Sequence, residues 1–158
     1  MSSAVLVPVP DTSPAAVHHV AANMREWDRK EIFALRWDDD PRSVANDVLR
    51  VPGFSWVAFS GDVPAAVIGA APAWPGVWSV FAFGTDDFSR VALALTKHVR
   101  RFMVPALKNQ GAHRAQCHSI EGHEDAHRWL KLLGAHTEPM IRGFGRGREN
   151  FIPFVWEA

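Results

Sequence analysis

Apolar positions along the chain switch between the spacing of strands and that of helices. A first segment, AVLVPVP, is rich in valine and predicts a strand. After the capping sequence Asp11-Thr12-Ser13-Pro14, apolar residues recur every three or four positions from Ala15 to Leu35, which predicts one broken helix or two consecutive helices. The segment DDDPRSVANDVLRVPG then predicts a short helix that stops at Pro52-Gly53.

Three short apolar runs follow and predict a meander of strands. FSWVAF and PAAVIGAA flank Ser60-Gly61-Asp62-Val63, a turn sequence typical of a hairpin. A second turn from Pro72 to Gly76 leads into VWSVFAF, where alternation places Trp78, Val80 and Ala82 on one face.

The second half alternates helices with strands. Helical spacing predicts a helix from about Ser89 to Asn109, bent near its end by Pro105 and ended by Gly111. AHRAQCHSI predicts a strand, HEDAHRWLKLL a helix closed by Gly134, and HTEPMIRGF with NFIPFVW a hairpin around GRGRE. The predicted order is β-αα-βββ-α-β-α-ββ, an α/β (α+β) fold in one domain that spans residues 1–158.

The composition limits the class of protein. A chain of 158 residues, 47% hydrophobic and 22% charged, has the size and balance of one globular domain. Its 17 basic and 17 acidic side chains cancel, so the net charge implies neither a nucleic-acid nor a membrane partner. The sequence has no long apolar run, no signal-peptide pattern at its start and one cysteine, Cys117. We therefore expect a cytoplasmic protein without a disulfide.

The stretch FAFGTDDFSRV joins a strand, a glycine turn and the start of a helix. Proteins bind anions with such an arrangement, because unpaired backbone N–H groups point outward at a helix N-terminus. Here the single glycine, Gly84, is followed by Asp86 and Asp87, and Asp87 or Ser89 is a candidate N-cap. Like charges about 4 Å apart repel by roughly 1 kcal/mol in water. The pattern therefore fits a weak anion site and an ordinary capped helix equally well.

The element order resembles that of the GCN5-related N-acetyltransferases (the GNAT superfamily) over the whole chain. HEDAHRWLKLLGA resembles their late helix, with Ala126 and Gly134 at matching positions, whereas His123, Leu130 and Ala135 replace the family's Asn, Tyr and Phe. The resemblance implies a GNAT-like mixed, mostly antiparallel sheet, flanked by helices, that splays between its fourth and fifth strands to admit acetyl-CoA. It also implies transfer of the acetyl group to a primary amine of a small-molecule or protein acceptor.

The resemblance implies a path for the cofactor. The pantetheine of acetyl-CoA would lie along Ser79 to Phe83 and the diphosphate near Gly84 to Val91, where the two strands part beside residue 84 and leave amide hydrogens free. The predicted cofactor-binding residues are Phe81, Ala82, Phe83, Gly84, Ser89, Arg90 and Val91. The family's loop is Gln or Arg, two residues, Gly, one residue, then Gly or Ala, so this acidic loop with one glycine departs from it. Arg90 and Arg100 offset part of the negative charge.

Acetyl transfer needs a base for the amine and an acid for the leaving thiolate. The family's usual acid is a phenol, and this chain contains no tyrosine. Ser119 and Cys117, on the strand that would face the splay, are candidate donors, and Glu121, His118 and Glu31 are candidate bases. Each of them also fits an ordinary surface or structural role.

A second hypothesis comes from a narrower likeness. TKHVRRFMVPAL, GAHRA and AHRWLKLLGA are similar to segments of small acetyltransferase-like proteins of tailed bacteriophages, some of them named as internal virion proteins. This likeness implies a noncatalytic protein that keeps the GNAT fold for virion assembly or for binding a host protein. Its location would be the host cytoplasm or the virion.

A third hypothesis comes from a local motif. His123-Glu124-Asp125-Ala126-His127 matches the HExxH pattern of zinc peptidases, in which two histidines one turn apart bind the metal. The candidate third ligands, His136, Glu138 and Glu149, follow in no recognisable arrangement. The alternative is a polar helix start whose acidic residues favour the N-terminal end of the helix dipole. We therefore expect no metal.

Overall fold

The structure is a computed structural model that describes residues 3–51 and 53–158. The strands are β1 (Ala4–Pro8), β2 (Ser55–Ser60), β3 (Val63–Trp74), β4 (Val77–Gly84), β5 (Arg114–Ile120), β6 (His136–Thr137) and β7 (Phe151–Glu157). The helices are α1 (Pro14–Ala22), α2 (Glu26–Ala34), α3 (Pro41–Arg50), α4 (Phe88–His98), α5 (Val104–Asn109) and α6 (Glu124–Leu132). A 3-10 turn covers Val9–Asp11, and a π-helical segment, Val99–Met103, joins α4 to α5.

The strands form one mixed sheet in the order β1-β2-β3-β4-β5-β7-β6. Neighbouring strands are antiparallel except for β4 and β5, which run parallel. Because parallel neighbours need a crossover, the chain between them passes through α4 and α5. The predicted fold class and element order are confirmed. No helix in the described ranges is both long and apolar enough to cross a bilayer.

The helices cover the sheet on both faces. The helices α1 and α3 and part of α2 bury one face, in a core that includes Val17, Val48, Val57, Val67 and Phe83. The helices α4 and α5 and the end of α6 pack on the other face, in a core that includes Ile68, Val91, Leu95, Met103 and Leu133. Trp78, Val80 and Ala82 all contact this second core, so the predicted alternation along β4 is confirmed.

The predicted helix boundaries depend on local chemistry. The segment from Ala15 to Leu35 forms two helices, and the Ser13 hydroxyl caps α1 by accepting the Ala15 N–H at 3.3 Å. The predicted stop of α3 at Pro52 lies outside the described residues. The helix that ends at Asn109 contains a π-helical segment that ends two residues before Pro105, because proline has no N–H for a regular helical hydrogen bond.

Two predicted turns differ from the structure. The strand β3 continues to Trp74, with an irregular register after Pro72, so the turn before β4 is shorter than predicted. The last hairpin has a broken first strand: β6 ends at Thr137, and Ile141 forms an isolated bridge to Phe151. Pro139 lies between these two pairings and cannot donate a hydrogen bond to a sheet ladder.

The two parallel strands separate early. Within the described ranges, β4 pairs with β5 over Val77 to Ser79, opposite Arg114 to Gln116. From Val80 to Gly84, β4 keeps its pairing with β3 and diverges from β5. The predicted gap between the fourth and fifth strands is therefore present, and it starts at Val80, four residues before Gly84.

Candidate functional site

A cavity of about 870 Å³ occupies the space where β4 and β5 diverge. Both strands contribute to its walls, together with α2, α4, α5 and α6. Pockets of roughly 300–1,000 Å³ with mainly apolar walls and a few polar groups are typical of small-molecule sites. Phe81 and Ala82 of β4 line the cavity, as do Cys117, His118 and Ser119 of β5.

The predicted cofactor-binding residues have different environments. Phe81, Ala82 and Ser89 line the cavity. Phe83 and Val91 are buried in the two cores on opposite faces of the sheet. Gly84 is buried and lies against Phe88, and the exposed Arg90 pairs with Asp87 at 3.5 Å. The cavity therefore brings together three of the seven.

Five backbone N–H groups at the junction between β4 and α4 are bonded within the chain. Asp87 occupies the N-cap position of α4, as predicted, but the side chain that accepts a backbone N–H is that of Thr85, 3.1 Å from the Asp87 nitrogen. The other bonded groups are the N–H of Gly84 to Asp28, of Thr85 to the Ala65 carbonyl, of Phe88 to the Thr85 carbonyl and of Arg90 to the Asp87 carbonyl. This loop therefore differs from an open anion site.

Asp28 connects three elements beside this loop through hydrogen bonds of its carboxylate. Its carboxylate, 3% exposed, accepts the Gly84 N–H at 2.8 Å and hydrogen bonds from the Arg25 guanidinium at 2.8–3.0 Å. The His123 Nε2 lies 2.8 Å from its other oxygen. We call Arg25, Asp28, Gly84 and His123 the Asp28 cluster. It joins the end of β4 to α2 and to the residue that precedes α6.

The Asp28 cluster has further aromatic contacts. The Arg25 guanidinium lies 4.1 Å from the centre of the Phe88 ring, a cation–π contact, and Trp27 stacks on His123 with ring centres 5.8 Å apart. Arg25 and Asp28 are not among the site residues predicted from the sequence. The available signal was spacing: Asp28 lies four residues before Ile32, which packs against the core from the same face of α2.

Glu31 and Ser119, two of the predicted catalytic residues, meet although 88 positions separate them. The Ser119 hydroxyl donates to Glu31 Oε1 at 2.5 Å, and the Ile120 N–H donates to the same oxygen at 2.9 Å. His127 Nε2 lies 3.0 Å from Ser119 Oγ and 3.1 Å from the Ile120 carbonyl oxygen. We call Glu31, Ser119, Ile120 and His127 the Glu31 cluster.

Burial gives Glu31 unusual acid–base properties. Removal from water raises the pKa of the Glu31 carboxyl, and the hydrogen bond from Ser119 lowers it in part. The charge of His123 and the Ile120 N–H also lower this pKa, whereas the charge of Asp28 raises it. Glu31 lines the cavity. It is therefore a carboxylate at the cavity wall that binds protons more readily than an ordinary glutamate.

The remaining predicted residues are less suited to acid–base chemistry. Burial, with the nearby charge of Glu31, raises the pKa of the Cys117 thiol to about 12, so this thiol stays protonated near neutral pH. Burial and the charge of Arg114 lower the pKa of His118, whose ring lies 5.0 Å from that of Phe144. Glu121 follows β5 and is exposed, with its carboxylate beside the Asn150 amide at 3.4 Å.

The histidines of the HExxH motif have separate partners. His123 is the N-cap of α6 and faces Asp28, whereas His127 faces Ser119 and the Ile120 carbonyl. Within the described ranges, the group of side chains close enough to share a metal is His136, Glu138 and Glu157. His136 pairs with Glu157 at 3.0 Å, and Glu138 pairs with Arg114 at 2.7 Å. This geometry gives the zinc-peptidase hypothesis no support.

The whole chain is similar to solved structures of acetyltransferases. Ard1 from Thermoplasma volcanium superposes with a TM-score of 0.72 at 12% identity, covering 98% of this chain and 97% of that chain. The ribosomal-protein-S18-alanine N-acetyltransferase from Escherichia coli superposes with a TM-score of 0.69 at 15% identity, covering 98% of this chain and 94% of that chain. A GNAT-family acetyltransferase from Bacillus anthracis superposes with a TM-score of 0.70 at 11% identity, covering 99% of this chain and 96% of that chain.

Sequence comparisons add nothing to this likeness: no family model and no curated protein matches the chain. The likeness therefore rests on the path of the backbone, from the seven-stranded sheet to the gap between β4 and β5. This protein has the fold of the GCN5-related N-acetyltransferases.

Proposed function

We propose that this protein is an N-acetyltransferase that transfers the acetyl group of acetyl-CoA to a primary amine. The observation that carries the proposal is the Glu31 carboxylate at the wall of an open cavity between the two diverging strands. The acetyltransferase fold supports the same reaction. One fold hosts many functions, so we infer this function from the residues of the site.

The residues along the cavity fit an extended acetyl-CoA. The edge of β4 from Val80 to Phe83 has no β5 partner in the described structure and offers backbone groups to the amides of pantetheine. Ser89, at the start of α4, and Arg25, whose side chain is 26% exposed, line the same cavity. Because the N–H groups of Gly84, Thr85 and Phe88 are bonded within the chain, we assign the diphosphate to the hydroxyl of Ser89 and the guanidinium of Arg25.

Glu31 acts as the general base. When bound, acetyl-CoA supplies an acetyl group that is activated as a thioester. The Glu31 carboxylate takes one proton from the ammonium form of the acceptor, and the neutral amine then attacks the acetyl carbonyl carbon. The C–N bond forms as the C–S bond breaks, and the second amine proton passes to the departing thiolate. This balance needs no acid from the protein, which is consistent with the absence of tyrosine.

The proposal is tested by binding and by turnover. We expect acetyl-CoA to give measurable heat in calorimetry and to raise the melting temperature. A screen of primary amines, including peptides with a free N-terminus, should then identify acceptors through release of free thiol. Neither heat nor a thermal shift at millimolar acetyl-CoA would contradict the proposal.

A second candidate function is that of a noncatalytic protein with the same fold. The observation that favours it is the loop before α4, where the N–H groups of Gly84, Thr85 and Phe88 are bonded within the chain. The likeness to internal virion proteins of phages suggests a virion or host protein as its partner. This candidate predicts copurification with such a partner and no turnover, and acetyl transfer to any amine in the screen would contradict it.

A further inference from the structure

We propose that Ser119 and His127 are positioning residues that hold the Glu31 carboxylate in its reactive orientation, so that the base is a unit of three side chains. The proposal rests on the function proposed above. It assigns a role to His127, which the sequence suggested only as a metal ligand.

The hydrogen-bond partners fix the direction of each bond in the unit. The Ile120 carbonyl oxygen, 3.1 Å from His127 Nε2, can only accept, so Nε2 carries the hydrogen. The same N–H also points to Ser119 Oγ at 3.0 Å. The Ser119 hydroxyl therefore accepts from His127, and its own hydrogen is directed to Glu31 Oε1 at 2.5 Å.

Burial makes this arrangement effective. Ser119 is 2% exposed and His127 8% exposed, so water does not compete for these bonds as it would at the surface. One Glu31 oxygen is thereby held by two donors, the Ser119 hydroxyl and the Ile120 N–H. The carboxylate keeps a fixed position at the cavity wall, as catalysis by orientation requires.

The charged and titratable neighbours identify which member takes the proton. The charged groups that act on Glu31 from the elements around it are Asp28 on α2 and His123 before α6, and the charge of Glu31 in turn raises the pKa of Cys117 on β5. Burial lowers the pKa of His127; Glu124 and the Ile120 carbonyl oppose this, and His123 and Lys131 add to it. His127 is therefore neutral near pH 7 and serves as a hydrogen-bond donor, while Glu31 takes the proton.

The chain contains matched controls for both positioning residues. Ser55 is fully buried on β2, and its Oγ has no hydrogen-bond partner among the described residues. His98 has a pKa lowered by burial, packs between Trp56 and Phe102, and its Nε2 likewise has no partner in the described part of the chain. The variants Ser55→Ala and His98→Phe thus remove the same chemical groups from sites that do not contact Glu31.

The first experiment needs no substrate. The Glu31 carboxyl is titrated by carbon NMR in protein with labelled glutamate, for wild type, Ser119→Ala and His127→Phe. We expect the Glu31 pKa to rise in Ser119→Ala, because the charged form loses a hydrogen bond, and to rise less in His127→Phe. The variant His127→Gln, which keeps an N–H donor, should restore the wild-type titration. Thermal melts verify that each variant is folded.

The outcomes separate the two proposals. Ser55→Ala and His98→Phe should titrate like wild type, and an unchanged Glu31 pKa in both Ser119→Ala and His127→Phe would overturn the positioning role. In the enzyme assay, the ratio of kcat/KM at pH 5 to that at pH 8 should fall about tenfold in Ser119→Ala. An NMR shift in a protein that neither binds acetyl-CoA nor transfers acetyl would support the positioning role and overturn the proposed function.

Discussion

Two carboxylates on α2, Asp28 and Glu31, line the same cavity with different partners. Asp28 accepts hydrogen bonds from a guanidinium, an imidazole and a backbone N–H, so both of its oxygens are occupied. Glu31 is held on one oxygen by neutral donors, and burial raises its pKa. The two carboxylates lie only three residues apart on one helix, yet one is structural and the other reactive. The difference lies in the charge of the groups that donate hydrogen bonds to them.

The largest effect should come from removing the reactive carboxylate. Glu31→Gln keeps an oxygen that accepts from Ser119 but loses the base, so we expect kcat/KM to fall by about 10²–10⁴-fold while acetyl-CoA still binds. Steady-state kinetics and calorimetry measure the two quantities. Glu121→Gln, which changes an exposed carboxylate just after β5, is the comparison variant. Activity of Glu31→Gln within twofold of wild type would show that Glu31 is not the base.

The structural carboxylate should matter for stability. Asp28→Ala leaves the buried His123 and the Arg25 guanidinium without their shared partner, so we expect the free energy of unfolding to fall by about 3–5 kcal/mol. Urea unfolding monitored by circular dichroism measures the change. The control is Glu26→Ala on the same helix, where an exposed pair with Lys30 at 3.3 Å is lost. Equal losses in the two variants would remove the distinction between Asp28 and a surface carboxylate.

The pH dependence of stability should reveal the raised pKa of Glu31. At pH values between the pKa of Glu31 in the unfolded chain and its higher pKa in the folded protein, the folded protein binds more protons than the unfolded chain. The stability that protonated Glu31 contributes at low pH is therefore lost as the pH rises through the folded pKa. Glu31→Gln cannot ionise. We therefore expect its free energy of unfolding, relative to wild type, to increase from pH 4 to pH 8. Parallel curves for the two proteins across this range would contradict the assignment.

The smallest effect concerns the acidic loop before α4. Asp86→Asn with Asp87→Asn removes two negative charges near the assigned diphosphate position, and we expect acetyl-CoA to bind a few-fold more tightly, since like charges about 4 Å apart cost roughly 1 kcal/mol in water. Calorimetry at low and high salt measures the change, which should shrink in high salt. Asp62→Asn, in the exposed β2–β3 turn, should leave the affinity unchanged. Weaker binding of the double variant would place the diphosphate elsewhere.

Local chemistry made much of the fold predictable from the sequence. Ser13 and the glycine turns mark where elements begin and end, and the alternation in β4 fixes which face of the sheet meets which helices. The parting of β4 from β5 was implied by the resemblance to the GCN5-related N-acetyltransferases. The broken strand before Phe151 was not foreseen, because the Pro139 effect depends on the partner strand.

The site was predictable only in part. Glu31 and Ser119 were identified as separate candidates for base and donor, but nothing in the sequence pairs residues 88 positions apart. His123 and His127 form a recognisable local motif, yet their partners, Asp28 and Ser119, come from distant segments. Motif spacing determines which side chains share a helix face. The groups that they face are determined by packing.

The hydrogen bond between the Gly84 N–H and Asp28 makes the opening of the cavity measurable. Because Asp28 also contacts His123, the walls contributed by β4, α2 and α6 can separate only when this network breaks. The exchange rate of the Gly84 amide hydrogen with deuterium therefore reports how often the walls of the cavity separate. A molecule that binds between the walls and stabilises the closed network would slow that exchange, so one backbone signal could rank candidate ligands before any reaction is known.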